Sequence, residues 1–328
     1  MKAFVKQWMG LACVAALAMS ALAPGAARAD DWPNRPITLI VPFPPGGMTD
    51  LLARRLAQDM QRELKQTTLV ENRPGASGQI GTAYVARARN DGYTLLVSAT
   101  HQVVNPAVKK NLPYDAAKDF SDIALLATAP NTLVVNSSLP IHTLAEFIAY
   151  AHKQPGGISY ASSGVGSATQ MTGELIRLNT GAPMVHIPYA GAAPAVSDLL
   201  GGTLPAMSLD VTTVIPYIQE GRLRALGVAG PKRVSILPDV PTMAELGYPA
   251  VEASTWIGFY GPAKLPAAMV DRLNRIAIAS MGSPEMTRML AEKGTTPETL
   301  KPAEFHRFVG KELVKWKKVV QDANIEAQ

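Results

Sequence analysis

If this chain were an enzyme, its histidines, its cysteine or a serine nucleophile motif would be expected to carry out the catalysis. The spacing of these residues gives little support for catalysis. The five histidines stand at positions 101, 142, 152, 186 and 306, and they form neither an H-x-H nor an H-E-x-x-H pattern. No G-x-S-x-G elbow and no G-x-x-x-x-G-K-[ST] loop occurs. The single cysteine, Cys13, falls in the leader-like start of the chain, so no cysteine-based metal site is expected. The sequence therefore predicts a protein that is not an enzyme and has no metal and no cofactor.

Anion binding is the chemistry that the turn after the first strand pattern indicates. "VPFPPGGMTD" (41–50) places two prolines before Gly46 and Gly47, which let a backbone approach a ligand closely. Thr49 and Asp50 are helix-capping residue types, and the free N–H groups of a helix start attract anions. An ordinary capped loop would account for Thr49 and Asp50, but it would leave the glycine pair unexplained.

Five further turns follow predicted strands and carry groups that can bind a ligand. Their candidate residues are Ser77, Thr100, His101, Ser163, Gly166, Ser167, Thr169, Tyr189, Gly191 and Asp210. "SSGVGSATQ" (162–170) resembles a weak dinucleotide fingerprint, yet no acid ends the next strand, "MVHIPYAG" (184–191). The same stretch is also an S-x-x-Q capping box. A helix N-terminus that holds a carboxylate is the better interpretation. His186 lies inside a strand and is expected to be a core residue.

Alternating strand and helix patterns predict an α/β fold with two lobes and a cleft between them. The first third of the chain has βαβαβ order, which implies a parallel sheet, and the pattern then restarts. "STWIGFYGP" (254–262) is a last strand before three helices. We predict that 30–128 plus 255–328 form lobe 1 and that 129–254 form lobe 2. Ligands of open α/β sheets bind at the carboxyl ends of the strands, where the candidate turns lie.

The first 29 residues are typical of a secretory signal. Lys2 and Lys6 precede an apolar stretch, and a small-x-small site predicts cleavage after Ala29. A membrane anchor would need a longer apolar run, and a lipoprotein at Cys13 would need a bulky apolar residue three positions earlier. An exported protein of this size without disulfides is expected in the bacterial periplasm.

Length and charge exclude other classes of protein. The 328 residues are 47% hydrophobic and 17% charged, which allows one large or two medium domains with a sizeable core. The net charge of +5 falls to +2 without the leader, which holds Lys2, Lys6 and Arg28 and no acid. No basic stripe remains that would indicate binding of nucleic acid.

Four long stretches resemble the Bug family, the extracytoplasmic solute receptors of tripartite tricarboxylate transporters. They are "WPNRPITLIVPFPPGGMTDLLARRLA", "VENRPGASGQIGTAYVARARNDGYTLLV", "YASSGVGSATQMTGEL" and "IPYAGAAPAVSDLLGG". The resemblance covers essentially the whole mature chain. It implies a two-lobed periplasmic binding protein of type II-like fold, a monomer that captures a small carboxylate and delivers it to integral membrane permease subunits.

The resemblance also implies which residues hold the carboxylate. They are Pro44, Gly46, Gly47, Thr49 and Asp50 in the first turn, and Ser163, Gly166, Ser167 and Thr169 in the second lobe. Two departures concern the far end of the pocket: Ala190 stands where relatives often have lysine, and "MSLD" lacks the aromatic that often precedes Asp210. We therefore expect the distal group of the ligand to be neutral, apolar or amine-bearing.

Two alternatives to a transport receptor stay open at this point. An exported α/β hydrolase would require His101 within hydrogen-bond reach of Ser77 or Thr100. A periplasmic sensor that presents its closed form to a receptor kinase would use the same ligand site.

Overall fold

The β-strands and α-helices alternate along most of the chain. The computed structural model describes residues 32–327, so the predicted signal and its cleavage site lie outside the described residues. The strands are β1 (Ile37–Val41), β2 (Thr68–Asn72), β3 (Thr94–Ala99), β4 (Phe120–Asn136), β5 (Ile158–Ser162), β6 (Met184–Pro188), β7 (Ala206–Asp210), β8 (Leu223–Val228), β9 (Ser254–Pro262) and β10 (Thr296–Pro297). The helices are α1 (Met48–Leu64), α2 (Gln79–Ala86), α3 (His101–Val108), α4 (Leu144–Lys153), α5 (Ala168–Thr180), α6 (Ala192–Leu200), α7 (Val211–Gln219), α8 (Ala267–Met281), α9 (Pro284–Glu292) and α10 (Pro302–Asp322).

Strand β4 belongs to two sheets. Residues 120–130 pair antiparallel with β9, and residues 131–136 pair with β7 and β8. The first sheet has the order β2-β1-β3-β9-β4-β10, and the second has the order β8-β4-β7-β5-β6. Strand β1 is parallel to β2 and β3, which confirms the predicted βαβαβ unit. The proposed lobe boundaries, 30–128 plus 255–328 and 129–254, stay a prediction.

The elements follow from the pattern of apolar residues. Strand β1, "ITLIV", has four buried residues of five, as a strand covered by helices on both faces should. Helix α1 buries Leu52, Leu56 and Met60, which recur every four residues and form its inner face. From Arg35 onward the chain forms one compact unit. No helix among the described residues combines the length and apolar character that crossing a bilayer requires.

Helix α3 is the main difference from the predicted elements. The sequence indicated a turn that carries Thr100 and His101, whereas the structure has a helix from His101 with Pro106 inside it and with Val103, Val104 and Val108 buried. Two adjacent valines and a proline are poor helix formers, so burial decides the conformation of this segment against its local preference. The two-residue strand β10 was also missed, because a segment so short carries no periodicity.

Candidate functional site

A cleft of about 310 Å³ lies between the start of α1 and the start of α7. Its floor is the junction of β4 and β9, where Ala129 pairs with Thr255 and Ala127 pairs with Ile257. The walls bring together three groups of residues: Gly46, Gly47, Met48, Thr49 and Leu51; Asp210, Thr212 and Thr213; and Lys293 and Thr295. Of the predicted site residues, Gly46, Gly47, Thr49 and Asp210 therefore lie around one cavity.

The first wall is the N-terminus of α1. Gly47 is the N-cap, in extended conformation with φ −80° and ψ 171°, and no side chain caps the helix. The first intrahelical bond runs from the Leu51 N–H to the Gly47 carbonyl, at 3.0 Å. Within the described chain, the N–H groups of Gly47, Met48 and Thr49 have no acceptor. These donors give the wall a partial positive charge that suits an anion.

Asp50 holds this turn in shape. Its buried carboxylate accepts hydrogen bonds from the Gly46 N–H at 3.0 Å, from Arg54 Nε at 2.9 Å and from Asn72 Nδ2 at 2.9 Å. Burial raises the pKa of this carboxyl, but the bonds from Arg54, Gly46 and Asn72 outweigh burial and hold its pKa below the usual value. Asp50 does not line the cleft. The expectation that Thr49 and Asp50 cap α1 is wrong, because the N-cap is Gly47 and they are the second and third residues of the helix.

The opposite wall is the start of α7. Asp210 caps this helix by accepting hydrogen bonds from the Thr213 N–H at 3.1 Å and from Thr213 Oγ1 at 3.0 Å. From the sequence alone, Thr212 or Thr213 would also be expected as the cap, but α7 follows β7 without a connecting loop and begins at Val211. Burial raises the pKa of the Asp210 carboxyl, and the bonds from Thr213 reduce that effect.

Lys293 lines the cleft, and the sequence did not predict a cation there. It follows the end of α9, and the next residue, Gly294, has φ +66°. A Cβ at Gly294 would lie 2.9 Å from Ile215 Cδ1 and 3.0 Å from Val211 Cγ2, so only glycine lets this turn pack against α7. The Thr295 hydroxyl lies 3.1 Å from the Thr212 hydroxyl. The only signal in the sequence was Gly294, which follows the C-cap of α9. Such a glycine marks a turn but does not indicate what the turn contacts.

Ser77 and Gly166 lie beside α3 and do not line the cleft. The Ser77 carbonyl accepts a hydrogen bond from Asn105 Nδ2 at 3.0 Å. A Cβ at Gly166 would lie 2.9 Å from Val108 Cγ2 and 3.7 Å from Asn105 Oδ1. The loop before α5 therefore approaches α3 closely at Gly166.

Thr100 and His101 occupy the start of α3. The Thr100 hydroxyl is buried and accepts a hydrogen bond from the Trp256 N–H at 2.9 Å, so its role is to join β3 to β9. The ring of His101 lies 5.2 Å from the ring of Phe43, and its buried Nδ1 has no hydrogen-bond partner in the described chain. Burial lowers the pKa of His101 to about 4.

Three hydroxyl groups cluster at the start of α5. Thr169 Oγ1 lies 2.9 Å from both Ser163 Oγ and Ser167 Oγ. Ser167 caps the helix by accepting from the Gln170 N–H at 3.1 Å, as the capping box predicted. The Gln170 side chain accepts from the Gly166 N–H at 2.8 Å, where a full capping box would use the N–H of Ser167. Most polar groups of this turn are thus satisfied internally, and its contact with a ligand stays a prediction.

Tyr189 and Gly191 lie in the turn after β6. The Tyr189 hydroxyl donates to Asp198 at 2.6 Å, and this bond raises the pKa of the tyrosine. Gly191 caps α6 with φ +117°. A Cβ at Gly164 would lie 3.1 Å from the Tyr189 carbonyl, so this turn adjoins the turn before α5. Neither Tyr189 nor Gly191 lines the cleft among the described residues, and their ligand contacts stay predictions.

A family model agrees with this geometry. The model of the tripartite tricarboxylate transporter family receptor, TctC, matches residues 52–325. The chain belongs to this family. Solved structures similar to it include a periplasmic binding protein, and the chain has the α/β fold of such proteins. The resemblance to Bug receptors and the fold class expected from the sequence are confirmed.

Three proteins illustrate the similarity to the TctC family. BugT of Bordetella pertussis is 38% identical over 296 residues, which cover 90% of this chain and 91% of BugT. The structure of Rpa4515 from R. palustris with adipate has 35% identity and a TM-score of 0.81, and the match covers 90% of this chain and 99% of that one. The structure of MatC from Rhodopseudomonas palustris with bound malate has 30% identity and a TM-score of 0.77. The match covers 88% of this chain and 100% of MatC.

A hydrogen-bonded serine–histidine pair in this TctC-family receptor lacks the third member of a catalytic triad. Ser162 Oγ lies 2.7 Å from His186 Nε2, but Ser162 is fully buried. The other ring nitrogen faces the amide of Gln170 at 3.3 Å, where a catalytic triad would place a carboxylate. Burial lowers the pKa of His186. The pair thus fits the expected structural role of His186, and the described residues show no hydrogen bond between His101 and Ser77 or Thr100.

His101, whose Nδ1 is buried without a hydrogen-bond partner in the described chain, predicts that acid destabilises the protein. The folded protein holds His101 with a pKa of about 4, whereas an unfolded histidine titrates near its usual value of about 6.5. As the pH falls from about 6.5 to about 4, only the unfolded state takes up this proton, so the free energy of unfolding should fall by up to about 3 kcal/mol.

Urea titrations across this pH range measure the effect of His101. His101→Gln should remove this part of the acid sensitivity, whereas His152→Gln, at an exposed position on α4, should retain it. Equal pH dependence in the wild type and in His101→Gln would contradict the lowered pKa of His101.

Proposed function

We propose that this protein is a periplasmic receptor that captures a small carboxylate and delivers it to the integral membrane permease subunits of a tripartite tricarboxylate transporter. In this proposal the signal is removed after Ala29, and the mature protein acts as a monomer. It uses no cofactor, binds no nucleic acid and does not turn its ligand over. Membership of the TctC family and the carboxylates bound to Rpa4515 and MatC support this function.

The helix start in the cleft is the observation that carries the proposal. The N–H groups of Gly47, Met48 and Thr49 lack acceptors, and the three residues line a cavity of a size that suits a small organic acid. A carboxylate placed there receives several donors and the favourable field of the helix without a full counter-ion. Such binding is strong enough for capture and still reversible, as delivery to a permease requires.

Lys293 adds a preference for a second carboxylate. The departures at Ala190 and in "MSLD" predicted a neutral or amine-bearing distal group, because no cation was expected near that end. The cleft nevertheless contains a lysine, held there by the turn at Gly294. Asp210 repels an anion less than an ordinary aspartate would. Burial raises the pKa of its carboxyl, and the carboxyl accepts a hydrogen bond from the Thr213 N–H. We therefore propose a short dicarboxylate as the ligand, in place of the distal group expected from the sequence.

Isothermal titration calorimetry of the ligand-stripped mature protein tests the function. Adipate and malate are the two probes, and hexanoate matches adipate in length with one carboxylate fewer. We expect binding of at least one dicarboxylate at one site per chain, and no product after prolonged incubation. Absence of binding for every carboxylate tested, or steady formation of a product, would contradict the proposed function.

Replacing Lys293 by methionine tests the specificity. Lys293→Met keeps most of the side-chain length but removes the charge, so the affinity for adipate should fall about tenfold, which corresponds to ~1.4 kcal/mol. The affinity for hexanoate should stay unchanged. Lys311→Met, at an exposed position on α10, is the matched control and should bind adipate like the wild type. Equal losses for adipate and hexanoate would show that Lys293 does not contact a second carboxylate.

A further inference from the structure

A second cavity, which we call the arginine groove, lies beside α2 and shares no lining residue with the ligand cleft. It encloses about 800 Å³, against about 310 Å³ for the cleft. Ile80, Tyr84 and Arg87 line it from one face of α2 and the residue that follows the helix. Arg35, Arg73 and Arg89 also line the groove. The groove is therefore a surface of the first sheet and its helix, separate from the site of carboxylate capture.

Positive charge dominates the arginine groove. Arg35 and Arg89 share one carboxylate, Asp91, at 3.0 and 2.8 Å. Arg73, the fourth arginine of the lining, pairs with Glu71 at 2.7 Å. The side chain of Arg87 has no ion-pair partner among residues 35–327. Four guanidinium groups thus face two carboxylates, and the excess charge lies on the side of Arg87 and Arg89.

Two of the arginines are held in place by stacking on tyrosines. The guanidinium carbon of Arg35 lies 3.8 Å from the ring centre of Tyr93, and that of Arg73 lies 3.7 Å from the ring centre of Tyr84. Stacking fixes the plane of a guanidinium while leaving its edge N–H groups directed outward. Less conformational freedom is then lost when a carboxylate binds to these groups.

An apolar strip accompanies the charges. Ile80 is 57% exposed and Tyr84 is 43% exposed, and they lie one helical turn apart. The turn before α2 supports Ile80, because a Cβ at Gly75, which has φ +131°, would lie 2.6 Å from Ile80 Cδ1. Exposed aromatic and aliphatic side chains among arginines are typical of surfaces that bind another protein. A small free anion would leave this apolar strip in water.

The stretch "VENRPGASGQIGTAYVARARNDGYTLLV" gives a second reason to look for a partner here. It is one of the four stretches by which the chain resembles its family, yet none of its residues lines the ligand cleft. Eleven residues from this stretch line the arginine groove, among them Arg73, Ile80, Tyr84, Arg87 and Arg89. Capture of the carboxylate thus leaves the exposed face of this stretch without a role.

We propose that the arginine groove docks an acidic, periplasm-facing segment of the partner permease. Carboxylates of that segment bind Arg87 and Arg89, and an apolar side chain between them packs on Ile80 and Tyr84. The choice of partner rests on the proposed function, since a receptor that delivers its ligand needs a recognition surface outside the cleft. The excess of arginines indicates an acidic partner segment, and the apolar strip indicates that the segment also carries an apolar side chain. Both conclusions are independent of the choice of partner.

Photocrosslinking in cells that produce the full chain together with its own permease subunits tests this proposal. A benzoylphenylalanine replaces Ile80 in the groove or, as the matched control, Val314, which is 71% exposed on α10. The Ile80 probe should crosslink to an acidic segment of an integral membrane protein, identified by mass spectrometry, and the Val314 probe should not. Equal crosslinking at both positions, crosslinks to phospholipid, to a second copy of this chain or to a segment without acidic residues, or no crosslink at all would overturn the proposal.

Charge reversal separates docking from ligand capture. Arg87→Glu with Arg89→Glu should lower the yield of the Ile80 crosslink at least about fivefold and leave the affinity for adipate within about twofold of the wild type. Arg288→Glu with Arg307→Glu makes the same charge change at exposed positions on α9 and α10 and should alter neither quantity.

The single variant Arg87→Gln breaks no ion pair among the described residues, so it replaces the double variant if that proves unstable. It should also lower the yield of the Ile80 crosslink. An undiminished crosslink in Arg87→Gln would overturn the proposal. A crosslink to the expected segment from a protein that binds no carboxylate would instead overturn the proposed function and leave the docking site standing.

Discussion

Gly47→Ala is expected to lower the affinity for adipate more than about a hundredfold, a loss of about 3 kcal/mol or more. The new methyl group would stand at the N-cap of α1 and keep a carboxylate from the N–H groups of Gly47, Met48 and Thr49. The fold should tolerate the change, because Gly47 has φ −80° and nothing lies within 4 Å of the added Cβ. Calorimetry measures the affinity, and thermal unfolding should show a melting temperature within about 2 °C of the wild type.

Two other glycines provide controls for Gly47→Ala. Gly310→Ala adds a methyl to open space on α10, so it should leave the affinity unchanged and should not lower stability. Gly46→Ala should destabilise the protein, because Gly46 has φ +94°, which an L-residue rarely adopts. Unchanged affinity in Gly47→Ala would show that the ligand does not approach this backbone.

Asp50→Ala is expected to weaken ligand binding and the fold together. The substitution removes the acceptor for the Gly46 N–H, Arg54 and Asn72, so the turn loses the bonds that fix its shape. We expect a loss of about 2 kcal/mol in the free energy of unfolding at neutral pH, since Arg54 regains water while the backbone donor is left unpaired. The affinity for adipate should fall more than about tenfold. Urea titration and calorimetry measure the two effects.

The dependence on pH identifies the carboxylate as the cause of the Asp50 effect. The hydrogen bonds hold the folded pKa of Asp50 below its usual value despite burial. The stabilisation is therefore present above the unfolded pKa and is lost as the pH falls through the lowered folded pKa. The difference in stability between the wild type and Asp50→Ala should shrink over that acidic window. A difference that stays constant with pH would assign the effect to packing.

Local patterns were sufficient to predict the parallel unit of the first sheet and to single out the turn that the structure places at the cleft. The alternation around β1, β2 and β3 predicted their parallel order, and the glycine pair after β1 marked the start of α1 as a ligand-facing turn. The capping residue at this turn was misassigned, because Thr49 and Asp50 have capping residue types but lie inside the helix. Residue type alone does not fix the first residue of a helix. Asp50 is the third residue of α1, and its carboxylate accepts a hydrogen bond from the N–H of Gly46, which precedes the helix.

The rest of the cleft could not be predicted from local patterns. Lys293 enters it because Gly294 packs against Val211 and Ile215, which are about 80 positions earlier in the chain. That approach depends on how α9 and α7 meet in the folded protein, and no periodicity in one segment encodes it. The same holds for α3, whose buried valines outweigh the unfavourable helix preference of its sequence.

Native mass spectrometry tests most directly whether the cleft at the start of α1 holds one small carboxylate. The mature protein would be isolated from the periplasm without stripping, incubated with adipate and desalted gently, and the released compounds would be identified by fragmentation. We predict one organic acid per chain in the wild type and in Gly310→Ala, and none in Gly47→Ala. A wild-type protein without a bound acid, or an acid retained equally by Gly47→Ala, would contradict the assignment of the cleft as the carboxylate site.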